Sequence, residues 1–571
     1  MNTAYQPTRW SLGDLYSAPD GPEMKESLAQ LEEALKSLES ARERLSPEIP
    51  EAEFLEILRT YESMVRISSR LGAYAALWFA EDTQNQAALN LQTRLDQIMA
   101  DAHNRTLFLT LWIKDLPDEA AARLAAASGD LRYFLESLRR FKPFTLKESE
   151  EQIITLKDVN GVDALVTVYE MITNKFSFSL EVEGEKKTLT RDGLSAYVRH
   201  PSPEVRAAAY QELYRVYGDN ATILAQIYNY RVRDWHAEAL GLRHYPEPIS
   251  VRNMGNDIPD AVVNTLLDVC RRNVGLFQRY FRLKAGWLGL DKLRRYDIYA
   301  PLARSEKQYE FGQTVDLVLD SFRRFSPRVA DQARRVLDDN HLDAELRPGK
   351  RSGAFCYSPL PSLTPWVLTN FTGRVRDVST LAHELGHAIH SMMAADHSPL
   401  TYHAPLPLAE TASVFSEMLL TERLLAEEPD PALRRDLLAN TIDDAYATVL
   451  RQAYFTLFER DAHRLIAEGK STDELAEHYL SNLAEQFGDA VTVADEFRWE
   501  WISIPHIYFA PFYTYAYSFG QLLVLALYQR YRTEGEAFIP SYLQILSAGG
   551  SKAPATILAE AGIDMAAPAF W

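Results

Sequence analysis

The chain has 571 residues, 47% hydrophobic and 24% charged, a globular composition with room for a large core and more than one subdomain. Sixty Lys and Arg against 79 Asp and Glu leave a net charge of −19, which argues against a nucleic-acid partner, because phosphate binding needs clustered basic side chains. Only Cys270 and Cys356 are present, so no disulfide framework is expected. The opening residues Met1–Pro7 show no basic or apolar stretch of a secretory signal, and no apolar run approaches the length of a membrane span. A cytoplasmic protein is the expectation.

The N-terminal half reads as helices. Met24, Leu28, Leu31, Leu35 and Leu38 recur at spacings of three and four, between Pro22 and Pro47. A second helical stretch runs from about Glu51 to Phe79, with Phe54, Leu55, Leu58, Tyr61, Met64 and Val65 on its apolar face. Together they predict an antiparallel helical hairpin whose stripes pack in a core. The period changes to two at Phe176, Phe178, Leu180 and Val182. Glu183-Gly184-Glu185 then turns the chain, which predicts a β-hairpin near 175–190. The hairpin suggests a boundary between an N-terminal region, 1–190, and a second region, 191–571.

Helical patterning resumes from about 204 to 290, broken near Tyr245-Pro246-Glu247-Pro248. A short extended piece is predicted at Tyr296–Pro301. After a Gly- and Pro-rich interval, Trp366–Phe371 has strand character. The many helices and few strands place the chain in the mainly α class.

A helix predicted to start near Asp377–Thr380 carries His383-Glu384-Leu385-Gly386-His387. Two histidines four apart stand one turn from each other, so both imidazoles can reach one metal ion. The glutamate between them can then act as general base, which is the zinc-hydrolase pattern H-E-x-x-H. Gly386 inside the motif signals either close packing against another backbone or a tolerated glycine. Two histidines leave a catalytic zinc one protein ligand short. The metzincin continuation needs Gly at 390 and His at 393, and this chain has His390 and Met393. Glu410 is therefore the candidate third ligand, on a segment reversed by Pro399, Pro405 and Pro407. Glu417, two turns further on, is either an acceptor for a ligand or a solvated charge. His390 is expected to pack under the site or to hydrogen-bond a ligand, and His397 and His403 to lie at the surface.

The string His383 to His390, followed by Glu410-Thr411-Ala412-Ser413, resembles the thimet oligopeptidase and oligoendopeptidase F family of zinc metallopeptidases. Trp10–Tyr16, Lys350–Phe355, Pro505–Tyr508 and Pro511–Tyr515 resemble the oligoendopeptidase F side of it. The resemblance implies a two-lobed helical fold with a deep substrate channel and a small β-sheet near the active site, in which 191–571 would be the catalytic domain. It implies one Zn2+ held by His383, His387 and Glu410, with Glu384 as catalytic base and short peptides as substrates. It also implies that His506, Tyr513 and Tyr515 help hold the scissile carbonyl and its oxyanion, with Tyr517 a further candidate, and that Gly353, Ala354, Phe355 and Tyr508 contact substrate. The strand before the motif helix would serve as an edge to which a peptide pairs. A zinc endopeptidase is the expected activity. A dipeptidyl carboxypeptidase on the same scaffold, or a non-catalytic peptide-binding protein, are the alternatives. Neither nucleic acid nor membrane is an expected partner, and nothing points to an oligomeric state.

Overall fold

The computed structural model describes residues 5–302 and 307–571; Met1–Ala4 of the opening segment lie outside the described residues. The chain is mainly helical and forms two compact units, each built from separated stretches. The first draws on 1–145, 306–424 and 523–564, the second on 146–305, 425–522 and 565–571. These units cut across the boundary expected at 190, and the hairpin lies inside the second. A turn signal marks where the chain reverses, and reversal does not by itself end a packed unit.

In the first unit, helix α1 spans Pro22–Ala41, with Pro22 in its first turn, where the missing N–H costs no helix bond. Met24, Leu31, Leu35 and Leu38 of the expected stripe are buried. Helix α2, Glu51–Glu81, packs on α1, and helix α3, Gln86–Asp115, packs on both. The Asn85 side chain caps α3 by accepting from the Ala87 and Ala88 N–H groups. The predicted helical pair is thus two members of a three-helix layer. Its core extends to Trp366 and Leu368.

Those residues belong to a three-stranded sheet whose order is Leu342–Asp343, Trp366–Leu368, Phe355–Tyr357. The first pair is parallel and the second antiparallel, with Cys356 opposite Val367. Trp366–Leu368 is therefore the central strand, fully buried, and not the edge expected from the sequence. It is also shorter than expected, because Asn370 turns away to donate its side-chain amide to the Arg351 and Gly353 carbonyls. Phe355–Tyr357 and Leu342–Asp343 are the two edges of this sheet. The loop before Phe355 is anchored by Lys350, whose ammonium meets the buried Asp343 carboxylate at 2.8 Å and the Thr369 carbonyl at 2.7 Å.

The second unit contains the predicted hairpin, Phe178–Val182 against Glu185–Leu189. Phe178, Leu180 and Val182 point inward, and Glu183 and Gly184 supply the positive φ angles of a tight turn. Helices Pro203–Asp219, Ala221–Trp235 and Arg451–Ala467 build much of its interior. The piece expected to be extended at Tyr296–Pro301 departs from prediction: Arg295–Asp297 forms a 3-10 turn after a two-residue strand, Leu293–Arg294. The cause is Asp297, whose buried carboxylate gathers Arg206 at 2.8 Å and Arg294 at 2.7 Å and so bends the backbone.

Candidate active site

The motif helix spans Val375–Met393. It begins two residues before the expected start because the Asp377 carboxylate reaches back, accepting from the Thr372 and Arg374 N–H groups at 2.7 and 3.1 Å. This fixes the helix where it leaves the sheet. One turn of helix then separates His383 from His387, with ring centroids 4.8 Å apart.

Glu410 stands at the joint between a short helix, Leu406–Ala409, and the helix Thr411–Glu427. Its Oε2 lies 3.5 Å from His383 Nε2 and 3.5 Å from His387 Nε2. One donor atom from each of the three side chains falls within 4.8 Å of the other two. The structure thus brings together the three residues chosen as ligands.

Gly386 explains why the two segments can meet. A β-carbon there would stand 2.5 Å from Ser413 Cα and 2.7 Å from the Ala412 carbonyl oxygen. Of the two readings left open for this glycine, close approach of backbones is the one observed.

Each donor is oriented by a further group. His383 Nδ1 lies 2.6 Å from Glu417 Oε1, which turns Nε2 toward Glu410. Glu417 is therefore an acceptor for a site histidine. The Ala409 carbonyl favours a proton on the His387 ring and on that of buried His390. Ser413 Oγ donates to Glu410 Oε2 at 2.8 Å. Burial opposes charge on His383, but the Glu417 carboxylate more than offsets it and raises the imidazole to about 9. Burial pushes His387 down to about 4, leaving it a neutral donor.

Glu384 is 7% exposed, and the Cys356 backbone of the edge strand favours its charged form. Burial, partly offset by neighbouring His383, pushes its carboxyl up to about 7. Such a group can take and return a proton near neutral pH. Glu384, the two histidines, Ala354, Phe355 and Cys356 line one cavity of about 420 Å³. Gly353 sits at the entry to the strand with φ 80°, a value that favours glycine. His403 is exposed and also lines this cavity, whereas His397 is half-buried and bonded to the Ser547 carbonyl at 2.8 Å.

Two nitrogens and a carboxylate oxygen, each held by a neighbour, suit a borderline cation such as Zn2+ with one coordination position left open. The groups the sequence did not flag are backbone ones, at Ala409 and Cys356. Ser413 had a signal in its spacing of three from Glu410.

The second unit holds the remaining candidates. His506 opens the short helix His506–Phe509 and is half-buried. Its ring stacks on Tyr513 at 5.8 Å, and its Nε2 lies 3.3 Å from the Tyr517 hydroxyl. Burial lowers its pKa. Tyr515 is fully buried and accepts from Asn256 Nδ2 at 2.8 Å. Tyr508 is also fully buried, stacked on Tyr169 at 3.9 Å. The structure thus places Tyr513 and Tyr517, and not Tyr515 or Tyr508, against His506. Three main-chain bonds hold the loop: Arg231 and Arg252 donate to the Tyr508 and Pro511 carbonyls, and Glu459 accepts from the Phe512 N–H.

The chain is similar to known proteins over nearly its whole length. The model of Peptidase family M3 matches residues 196–571. Oligopeptidase PepF of Bacillus subtilis (strain 168) is 26% identical over 573 residues, covering 98% of this chain and 84% of the relative. The chromosomal oligoendopeptidase F of Lactococcus lactis subsp. cremoris is 30% identical over 403 residues, 70% of this chain and 66% of the relative. The crystal structure of oligoendopeptidase-F from Enterococcus faecium has a TM-score of 0.72 over 97% of this chain and 96% of that one, at 24% identity, a likeness of fold.

Proposed function

The chain belongs to peptidase family M3, and from that premise we propose that it is a zinc-dependent endopeptidase acting on short peptides, with Glu384 as general base. The observation that carries this reading is the convergence of Glu410 on His383 and His387, the two histidines that line one cavity with Glu384. The names of the relatives, oligopeptidase and oligoendopeptidase, support the substrate class.

His383 and His387 would present Nε2 lone pairs, and Glu410 a carboxylate oxygen, to the metal. A zinc ion held there supplies Lewis acidity and makes water a nucleophile at neutral pH. Glu384 accepts the proton of the attacking water and later passes it to the leaving amine. The Cys356 backbone favours the charged form of that carboxylate. The unpaired side of Phe355–Tyr357 offers main-chain groups to a peptide, which fits broad sequence tolerance. Gly353 gives that strand its entry bend, while Ala354 and Phe355 face the peptide. For His506 and Tyr513 the reading keeps the role of holding substrate and its oxyanion. Its support is their stacked, half-buried pairing with Tyr517 beside them. Tyr515 and Tyr508 are read as packing that shapes this loop. A cytoplasmic location is part of the proposal, supported by two unpaired cysteines. No helix among the described residues is long and apolar enough to cross a membrane.

The test is cleavage of an internally quenched peptide blocked at both ends. The expected result is internal cleavage that stops with a chelator and returns with zinc. Glu384→Gln should retain zinc and lose about 10²–10⁴-fold in rate. Release of dipeptides only, from free C-termini, would assign an exopeptidase. Zinc-loaded protein that binds but never cleaves peptides would assign a binding protein.

A further inference from the structure

A second cavity of about 620 Å³ lies in the first unit and shares Cys356, Ser358 and His403 with the cavity that Glu384 lines. We propose that it is a substrate subsite that takes one bulky, uncharged side chain of the peptide. The inference rests on the peptidase reading of the adjoining cavity.

Its walls come from faces of α2 and α3, and the α2 face includes positions that the sequence reads as a core stripe. On α2 the lining positions run from Tyr61 through Met64, Val65 and Ser68 to Gly72, steps of three and four that keep to one face. On α3, Met99 and Thr106 are among the lining residues, seven apart and so again on one face. Part of the stripe therefore borders open space instead of packing solid. Tyr61, Val65 and Met99 are each only half-buried.

The chemistry of the lining selects the occupant. None of the lining residues is Asp, Glu, Lys or Arg, and His103 and His403 are the lining side chains that could carry positive charge, so a charged side chain would lose its hydration with no carboxylate, ammonium or guanidinium to replace it. Met64 and Met99 are unbranched and polarizable, and adapt to aromatic or aliphatic groups. The third wall is the chain leaving the edge strand, Cys356 to Pro359. A peptide paired along Phe355–Tyr357 has side chains that alternate in direction, so one of them can enter this space while the main chain stays beside Glu384.

Gly72 allows a direct test. A β-carbon at this position meets nothing within 4 Å, and leucine is a better helix former than glycine. Gly72→Leu therefore narrows the cavity without breaking α2. The probes are peptides of one length in which a single Phe is moved along an Ala- and Gly-based sequence. With the parent enzyme, Phe at one position should raise kcat/KM over Ala by about tenfold or more. In Gly72→Leu that preference should vanish at that position and persist elsewhere, with Gly72→Ala between the two. A Phe preference that Gly72→Leu leaves in place would overturn the proposal, as would a uniform fall across the panel.

A second measurement separates this inference from the peptidase reading. Amide exchange of zinc-loaded Glu384→Gln is followed with the Phe and the Ala peptides. Slower exchange in 61–72 and 99–106 with Phe at that position only, abolished by Gly72→Leu, supports the subsite even if no peptide is ever cleaved. Equal exchange with both peptides overturns it even if the enzyme is an active peptidase.

Discussion

Gly386 and Ser413 touch backbone to backbone: a β-carbon on the first would sit 2.5 Å from the Cα of the second. Ser413 is three residues from Glu410 and bonded to it, so this contact sets how far the carboxylate stands from the two histidines. In Gly386→Ala the added methyl meets backbone atoms, which cannot rotate away. The expected result is a loss of zinc affinity of about 10–100-fold, the range seen when supports around a metal site are disturbed. Equilibrium dialysis against a zinc buffer measures it. Unchanged zinc content in a folded Gly386→Ala protein would show that the helices can part without cost to the site.

Glu417 accepts from His383 at Nδ1 and so fixes which ring nitrogen faces Glu410. Glu417→Ala should weaken zinc binding by about 10–100-fold and lower activity at limiting zinc. Glu417→Gln, which can still accept, should lose less. Excess zinc should restore much of the rate in both, since neither change removes a proposed ligand.

Glu459 is fully buried in the helix Arg451–Ala467, where its Oε2 accepts from Phe512 N–H at 2.9 Å and its Oε1 has no hydrogen-bond partner. Burial pushes its carboxyl up to about 8; the Phe512 bond, Arg252 and Arg231 pull the other way without prevailing, and Tyr228 faces it as well. The folded protein therefore holds this proton after the unfolded chain has released its own near the ordinary value of 4.5. Stability from this group is complete below that value, and it is lost as pH rises through about 8. Glu459→Gln keeps an acceptor for Phe512 and cannot ionise. Urea melts near pH 5 and pH 8 should show the variant gaining on the parent at the higher pH. A difference that does not change with pH would locate the buried proton elsewhere.

Tyr515 was expected from the sequence to face substrate, yet its hydroxyl is buried against Asn256. Tyr515→Phe leaves the Asn256 amide without that acceptor and should cost about 1–3 kcal/mol of stability. Tyr513→Phe removes a hydroxyl from the half-buried ring stacked on His506, and its effect should fall on kcat/KM. Thermal melts paired with peptide kinetics distinguish the two. A large kinetic loss in Tyr515→Phe without loss of stability would return that residue to the catalytic group.

The chain order of residues was enough to locate His383, Glu384 and His387, because helical periodicity alone puts them within one turn. It also pointed to Glu410, by the count of ligands a zinc would need, and the fold brings that carboxylate to 3.5 Å from both histidines; the hairpin at Phe178–Leu189 followed from alternation and a turn, which are both local signals. What decided the rest was packing between segments far apart in sequence. Only the fold shows that Trp366–Leu368 is a central strand, since strand order is a matter of partners and not of residue type. Only the fold separates Tyr513 and Tyr517 from Tyr515 and Tyr508, because neighbouring tyrosines differ in direction, which composition does not record. Gly386 unites the two levels. Its lack of a side chain is written in the sequence, and the backbone that needs the space is supplied by residues 412–413.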